Sequence, residues 1–224
     1  MKNIIALCAT ALVLASCASA PVQEPFTVDL NSPRCAAGSA ELQADKAFGG
    51  IKKTGVDIFY YPDDDAVCLE FRVGVVTYCQ FWSREGREAF VAALGRYSAD
   101  YQQRNLVAKS AKTKRAYGKA QGYIAWFSFR AFTEWARGVA AIEIGYTFRE
   151  NNPFFSITQG SVDYKDSATS KIKTSSAMTL YLTRAQAEVI AALFNQEYLD
   201  GLERTGGAKP EGLRGILRDI LNAR

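Results

Sequence analysis

The chain of 224 residues contains no histidine. The commonest metal ligand and the commonest general base near neutral pH are therefore missing, and serine–histidine and cysteine–histidine nucleophile systems are excluded. Proline is scarce, with six residues, and 48% of the chain is hydrophobic, the composition of a folded body rather than a disordered stalk. Beyond the N-terminal segment there is no apolar run of about eighteen residues, which excludes a membrane-crossing helix in the body of the chain. Charge of either sign is nearly balanced. The net +4 falls by one if Lys2 is removed, too little by itself to demand a polyanion. Of the five cysteines, Cys8 and Cys17 lie in the first seventeen residues. Cys35, Cys68 and Cys79 remain, an odd number that leaves at least one thiol outside any pair within the chain.

What is present begins with Lys2, a short apolar run from Ile4 to Ala15, and the small-residue close Leu14-Ala15-Ser16-Cys17. The run is too short to span a bilayer, and its basic start and small-residue end read as an export signal. The last four residues resemble the lipobox of bacterial lipoproteins. That resemblance implies loss of residues 1–16 and acylation of Cys17, palmitate included, with a lipid bilayer as the partner reached through Cys17. Ala18-Ser19, with no aspartate after the cysteine, resembles an outer-membrane destination facing the periplasm. Export also permits disulfides. The expected organisation is a signal over 1–16, a lipidated tether over 17–34 and a single domain over 35–224. Phe26, Val28 and Leu30 of the tether offer a brief alternating strand to lay on that domain.

Periodicity divides the domain. Ala36 to Phe48 reads as a helix ended by Gly49-Gly50, and Val56–Tyr61 as a strand closed by the turn Pro62–Asp65. Alternation from Ala66 to Trp82 gives either one bent strand or a hairpin with Val73-Gly74 at its tip, which sets Cys68 opposite Cys79 within disulfide reach. Ser83 caps a helix from Arg84 to about Gln103, with Phe90, Leu94, Tyr97 and Tyr101 on one stripe. Strands follow over Gly122–Trp135, with a turn away open from Phe132, and over Val139–Arg149, Phe154–Thr158 and Ala177–Leu182, with a polar loop over 163–176, either continuous or interrupted by a short strand. Thr183 and Gln186 form a capping box that opens a second helix to about Leu202. Leu213, Ile216, Leu217, Ile220 and Leu221 then give a last helix over 211–222 an apolar face. The fold expected is α+β, an antiparallel sheet covered on one face by two amphipathic helices and finished by a C-terminal helix.

The two main helices align at a fixed offset. Ser83, Arg84, Glu88, Ala92 and Asp100 correspond to Thr183, Arg184, Glu188, Ala192 and Asp200, which suggests a duplicated strand-strand-helix unit over about 56–103 and 122–202. This order of elements resembles the duplicated sheet-plus-helix unit of the Whirly and PUR-type single-strand-binding proteins. The resemblance implies two units sharing one core and assigns no residue a role.

Two segments invite functional readings. Arg104, Lys109, Lys112, Lys114, Arg115 and Lys119 form an acid-free basic run suited to a polyanion. Tyr123, Trp126, Phe127 and Phe129 offer an apolar ligand or partner surface, or simply core. Asp63, Asp64 and Asp65 lack the spread of acids and glycine that a calcium loop needs, so neither metal nor cofactor is expected. The function expected is a membrane-anchored envelope lipoprotein with a non-catalytic interaction or structural role, using the sheet surface, an edge or the basic run. Its partner would be an envelope protein, glycan or lipid, and not nucleic acid. One alternative is a carrier of lipid or a small apolar ligand, with a cavity lined by Phe127, Phe129, Ile144 and Phe148. A second is a glycan-active enzyme with facing carboxylates, Glu143 among them.

Overall fold

The computed structural model describes residues 25–45, 50–107, 115–128, 134–165 and 171–205. Four strands, β1 (Cys35–Asp45), β2 (Ile51–Tyr61), β3 (Ala66–Val73) and β4 (Val76–Trp82), make a meander that runs into α1 (Arg84–Gln102). Further along come β5 (Arg115–Ser128), β6 (Ala136–Arg149), β7 (Asn152–Gln159), a separate hairpin of β8 (Val162–Lys165) and β9 (Ile172–Ser175), and β10 (Met178–Leu182). β10 leads into α2 (Arg184–Leu193) and α3 (Gln196–Arg204).

The eight long strands close into an antiparallel barrel in the order β1-β10-β7-β6-β5-β4-β3-β2. The closing seam is short: β1 meets β10 through Gln43–Tyr181 and Ala44–Leu180. Closure satisfies the backbone groups that an edge strand would leave unpaired. Because every neighbour is antiparallel, successive connections alternate between the two ends of the barrel. α1, α2 and α3 therefore share one end, and the β8–β9 hairpin belongs to the other.

Alternation fixes which side chains fill the interior. Leu69, Phe71, Ile142, Ile144, Tyr146, Phe155 and Ile157 point inward and merge with the buried stripes of the helices in one core. Phe90 of α1 is the hub of the helical end, edge-on to Trp82, Phe155 and Phe194 at centroid distances of 5.8, 5.2 and 5.1 Å. Each such aromatic contact adds about 0.5–1.5 kcal/mol beyond simple burial. At the opposite end Val162 of β8 packs on Ile124, Trp126, Ala136 and Ala140. Outside the wall, Phe26, Val28 and Leu30 lie over Tyr61, Cys68, Cys79, Phe81 and Tyr123. The tether thus straps the outer wall, as extended chain and a turn rather than a strand.

Several expectations are corrected. The α+β class and the antiparallel sheet hold, but the sheet is a closed barrel, and the helices stopper one end instead of covering a face. The described part of the expected helix Ala36–Phe48, as far as Asp45, belongs to strand β1, because its main chain pairs with β2 from Cys35–Tyr60 to Asp45–Ile51; residues 46–48 lie outside the described residues. The second helix breaks at Asn195 into α2 and α3, and the polar loop over 163–176 is flanked and interrupted by strand, β8 from Val162 to Lys165 and β9 from Ile172 to Ser175. Gly74, at φ +63°, takes the first central position of the β3–β4 turn, which makes Gly74-Val75 the tip. That moves the register by two, so Cys68 faces Phe81 and Cys79 faces Glu70. Cys68 and Cys79 are diagonal free thiols in the outer cluster, while Cys35 packs against the inner core. The helix expected over 211–222 lies outside the described residues.

Candidate functional site

α1 and α2 run antiparallel and are tied together at both ends. At one end Arg87 of α1 donates to Oε1 of Gln196, just past α2, at 2.6 Å. At the other, the guanidinium of Arg184, the first residue of α2, stands 5.1 Å over the ring of Tyr101 near the end of α1. Along the seam between the ties lie two open hollows of about 340 and 490 Å³ that share Val91 and Asn195 as lining. Together they form one trench, of a size that suits a small ligand.

The trench exists because its walls are made of small side chains. Ala92, Gly95, Ser98 and Ala99 on α1 and Ala191 on α2 reach too little across the gap to fill it. Gly95 has open space where a Cβ would stand. Leu94, Ala191 and Phe194 are buried lining residues, while Val91 leaves 47% of its surface exposed, a large apolar side chain in water. Polar groups gather at the Gln196 end. Arg87, only 2% exposed, donates to Oδ1 and the main-chain carbonyl of Asp65 at 2.7 Å each, and Arg84 donates to Oδ2 at 2.7 Å. Burial alone would raise the Asp65 carboxyl, but the two guanidinium groups outweigh it and hold the group below the ordinary aspartate value. Glu188 is buried and paired with Arg184 at 3.5 Å. The trench therefore presents an apolar middle with fixed charges at its ends. That suits an elongated apolar molecule with a polar head, and no nucleophile–base pair is apparent among its lining residues.

The barrel interior carries a buried polar thread. Trp82 Nε1 donates to Gln80 Oε1 at 3.2 Å, Gln80 Nε2 to Gln159 Oε1 at 3.2 Å, and Gln159 Nε2 to Ser175 Oγ at 3.3 Å. It runs from the helical stopper to the β8–β9 hairpin. Trp126, also buried, has an indole N–H with no acceptor.

The residues singled out from the sequence are dispersed. Arg104 is exposed past the end of α1, Lys119 is exposed on β5 opposite Glu143, and Arg115 opens β5. Lys109, Lys112 and Lys114 lie outside the described residues, so the polyanion reading stays with the sequence. Tyr123 is buried in the outer cluster, Trp126 in the inner one, and the Phe127 and Trp135 rings meet at a tilt with centroids 5.6 Å apart. Phe129 lies outside the described residues, as does Cys17. The apolar residues thus fall on both sides of the wall and form no single surface. The cavity expected between Phe127 and Ile144 is corrected for the same reason, since Ile144 is fully buried inside and Phe127 lies on the opposite parity of its strand. The expected structural or interaction role is corrected as well: the strands close into a barrel, a shape that fits a small-molecule or lipid carrier better than a membrane-anchored structural protein. Among the described residues no helix is long and apolar enough to cross a membrane, and no group of three Cys, Asp or Glu side chains is placed to hold a metal ion. Sequence reasoning passed over Val91, Gly95 and Ala191. The available signal was a run of small residues on the exposed flank of an amphipathic helix.

Comparison with known proteins gives one assignment. No curated protein and no solved structure matches the chain. The sequence-family model described as "Uncharacterised Treponema protein" matches residues 24–201, from the outer strap through every barrel strand and into α3. The chain belongs to that family.

Proposed function

We propose that the protein is a carrier of a small apolar ligand, an acyl chain or a molecule of similar shape, taken into the trench between α1 and α2. The observation that carries this reading is the trench itself: an open surface groove with a largely apolar floor, between α1 and the α2–α3 segment, which are bridged at both ends. Burying an exposed apolar side chain such as Val91 under a ligand is worth on the order of 1–2 kcal/mol, and several such contacts give useful affinity. Barrel closure supports the reading further, because the barrel's strands find their partners within the chain, which favours recognition through cavities and grooves over strand addition there.

Four barrel strands followed by a helix, used twice with the β8–β9 pair inserted in the second half, support a duplicated unit. Ser83 and Thr183 are both N-caps, accepting from the amides of Gly86 and Gln186. Val91 and Ala191, Gly95 and Asn195, and Glu88 and Glu188 are corresponding positions that all line the trench. In this reading the trench lies on the axis relating the two halves. An envelope setting, through acylated Cys17, rests on residues 1–17 alone.

Titration of the full chain with a fluorescent fatty acid such as cis-parinaric acid tests the carrier reading. Gly95→Leu fills the trench from an open position and adds helix propensity, so the fold should persist while affinity falls by about ten-fold or more. Ile172→Ser, at an exposed site on β9, should bind as the unaltered chain does. Saturation that Gly95→Leu leaves unchanged would overturn the assignment.

A further inference from the structure

α1 and α2 carry the same pair of charges at the same spacing and use it differently. On α2, Arg184 and Glu188 stand one turn apart and bond at 3.5 Å, with Glu188 only 4% exposed. On α1, Arg84 and Glu88 have that same four-residue spacing, at which opposite charges on a helix ordinarily attract. Arg84 turns away instead, and its Nε donates to Oδ2 of Asp65 at 2.7 Å. Glu88 is left exposed on the wall of the trench, with no ion-pair partner among the described residues.

Charge at this end of the groove is therefore one-sided. Arg87 is spent as Arg84 is, its terminal nitrogens donating to Asp65, to the Trp82 carbonyl and to Gln196. Asp200, whose Oδ1 accepts from Gln196 Nε2 at 2.7 Å, adds a second carboxylate beside the rim. An anionic head placed here would meet Glu88 and Asp200, while the guanidinium groups able to hold it already hold Asp65. A cationic head meets an acceptor that lacks only a donor. Position agrees with charge: Val91, Gly95, Ala99 and Gln102 continue from Glu88 along one face of α1, and all line the trench. A chain laid over that face brings its head to Glu88. We infer that the ligand of the trench is an apolar chain with a cationic head, an ammonium in the simplest case, and that Glu88 receives the head. A fatty acid with the same tail still enters, but more weakly.

This inference rests on the carrier reading and names the head group that the reading leaves open. Its test is displacement of an uncharged dye, N-phenyl-1-naphthylamine, from the full chain by dodecylamine, dodecanol and dodecanoate, which share a tail and differ in charge. At low ionic strength dodecylamine should compete about ten-fold more tightly than dodecanoate, with dodecanol between them, and the preference should narrow as salt is added. Glu88→Gln, at an exposed helical position that glutamine suits, should bring the amine and the acid to within about two-fold of each other and leave dodecanol unchanged. Glu41→Gln, exposed on β1 and not among the trench lining, should keep the preference. Dodecanoate binding as tightly as dodecylamine, or a preference that Glu88→Gln leaves intact, would overturn the assignment of the head group. If all three compete equally, the carrier reading stands and only the head-group inference fails. If none displaces the dye, the carrier reading fails with it.

Discussion

Arg87 and Asp65 form a bond between the helical stopper and the barrel rim: the guanidinium, 2% exposed, reaches the carboxylate at 2.7 Å. Asp65 sits at φ +44°, a left-handed position that ends the single 3₁₀ turn between β2 and β3. Asp65→Asn keeps the backbone, since asparagine tolerates that region, but leaves Arg87 buried without its counter-charge. One-third of the Asp65 side chain is exposed, so solvent screening should bring the cost to about 3 kcal/mol or less, at or below the lower limit for broken buried pairs. The Asp65 carboxyl is held below its ordinary value. Its contribution is therefore fully present above the unfolded aspartate value of about 3.9 and is lost as pH falls through the lower folded value. Urea unfolding at pH 7 and at successively lower pH should show a smaller acid decline in Asp65→Asn than in the unaltered chain. Equal declines would remove the pair from the account.

Trp82 and Trp126 make a second, contrasting test. Both are buried on the inner side of the barrel, but Trp82 donates to Gln80 and Trp126 to nothing. Trp82→Phe leaves the Gln80 carbonyl short of a donor and breaks the polar thread, costing about 1–3 kcal/mol on top of the lost volume. Trp126→Phe also loses volume but removes a buried unsatisfied donor, so the two terms oppose each other. The expected ranking in chemical denaturation is Trp82→Phe clearly less stable than Trp126→Phe. The reverse order would mean that the indole of Trp126 has an acceptor in solution.

Legibility in the sequence followed the range of the interactions. Ser83 and Thr183 announced both helix starts because capping is settled within three residues, and both caps are made. The strands from β2 to β7 were readable in part where one parity faces the core, but β5 begins at Arg115, inside the basic run, and ends at Ser128 rather than Trp135. β1 was not. Ala36, Ala37, Ala40, Leu42 and Ala44 are residues that a helix accepts readily, and only pairing with β2 and β10 makes the segment a strand. Closure was equally hidden, since it depends on the contact of Gln43 and Ala44 with residues far along the chain. The Cys68–Cys79 register failed on a local point: Gly74 rather than Val73 opens the turn. The trench is the hardest case, because what defines it is the absence of bulk at Gly95 and its neighbours on two helices that the sequence cannot place side by side.

The β8–β9 hairpin stays on the barrel through a close approach that can be tested by a paired substitution. It is bonded to no barrel strand in the ladder sense, and it meets β6 where Gly138 leaves room. A Cβ at Gly138 would stand 2.6 Å from Cγ1 of Val162, whose side chain is held in the buried cluster with Ile124 and Trp126. Gly138→Ala should therefore push the hairpin off its seat at a cost of about 1–3 kcal/mol, the usual range for overpacking. Val162→Ala alone should cost less, about 1 kcal/mol or somewhat more, by vacating part of the cluster. Combined, the two changes relieve each other, so the double variant should be more stable than the sum of the single losses by about 1 kcal/mol or more. Hydrogen exchange should report the same pattern, with faster exchange at Val162–Lys165 and Ile172–Ser175 in Gly138→Ala and recovery in the double variant. Strict additivity would show that the hairpin does not rest on this contact, and the seat at Gly138 would then lose its role in closing that end of the barrel.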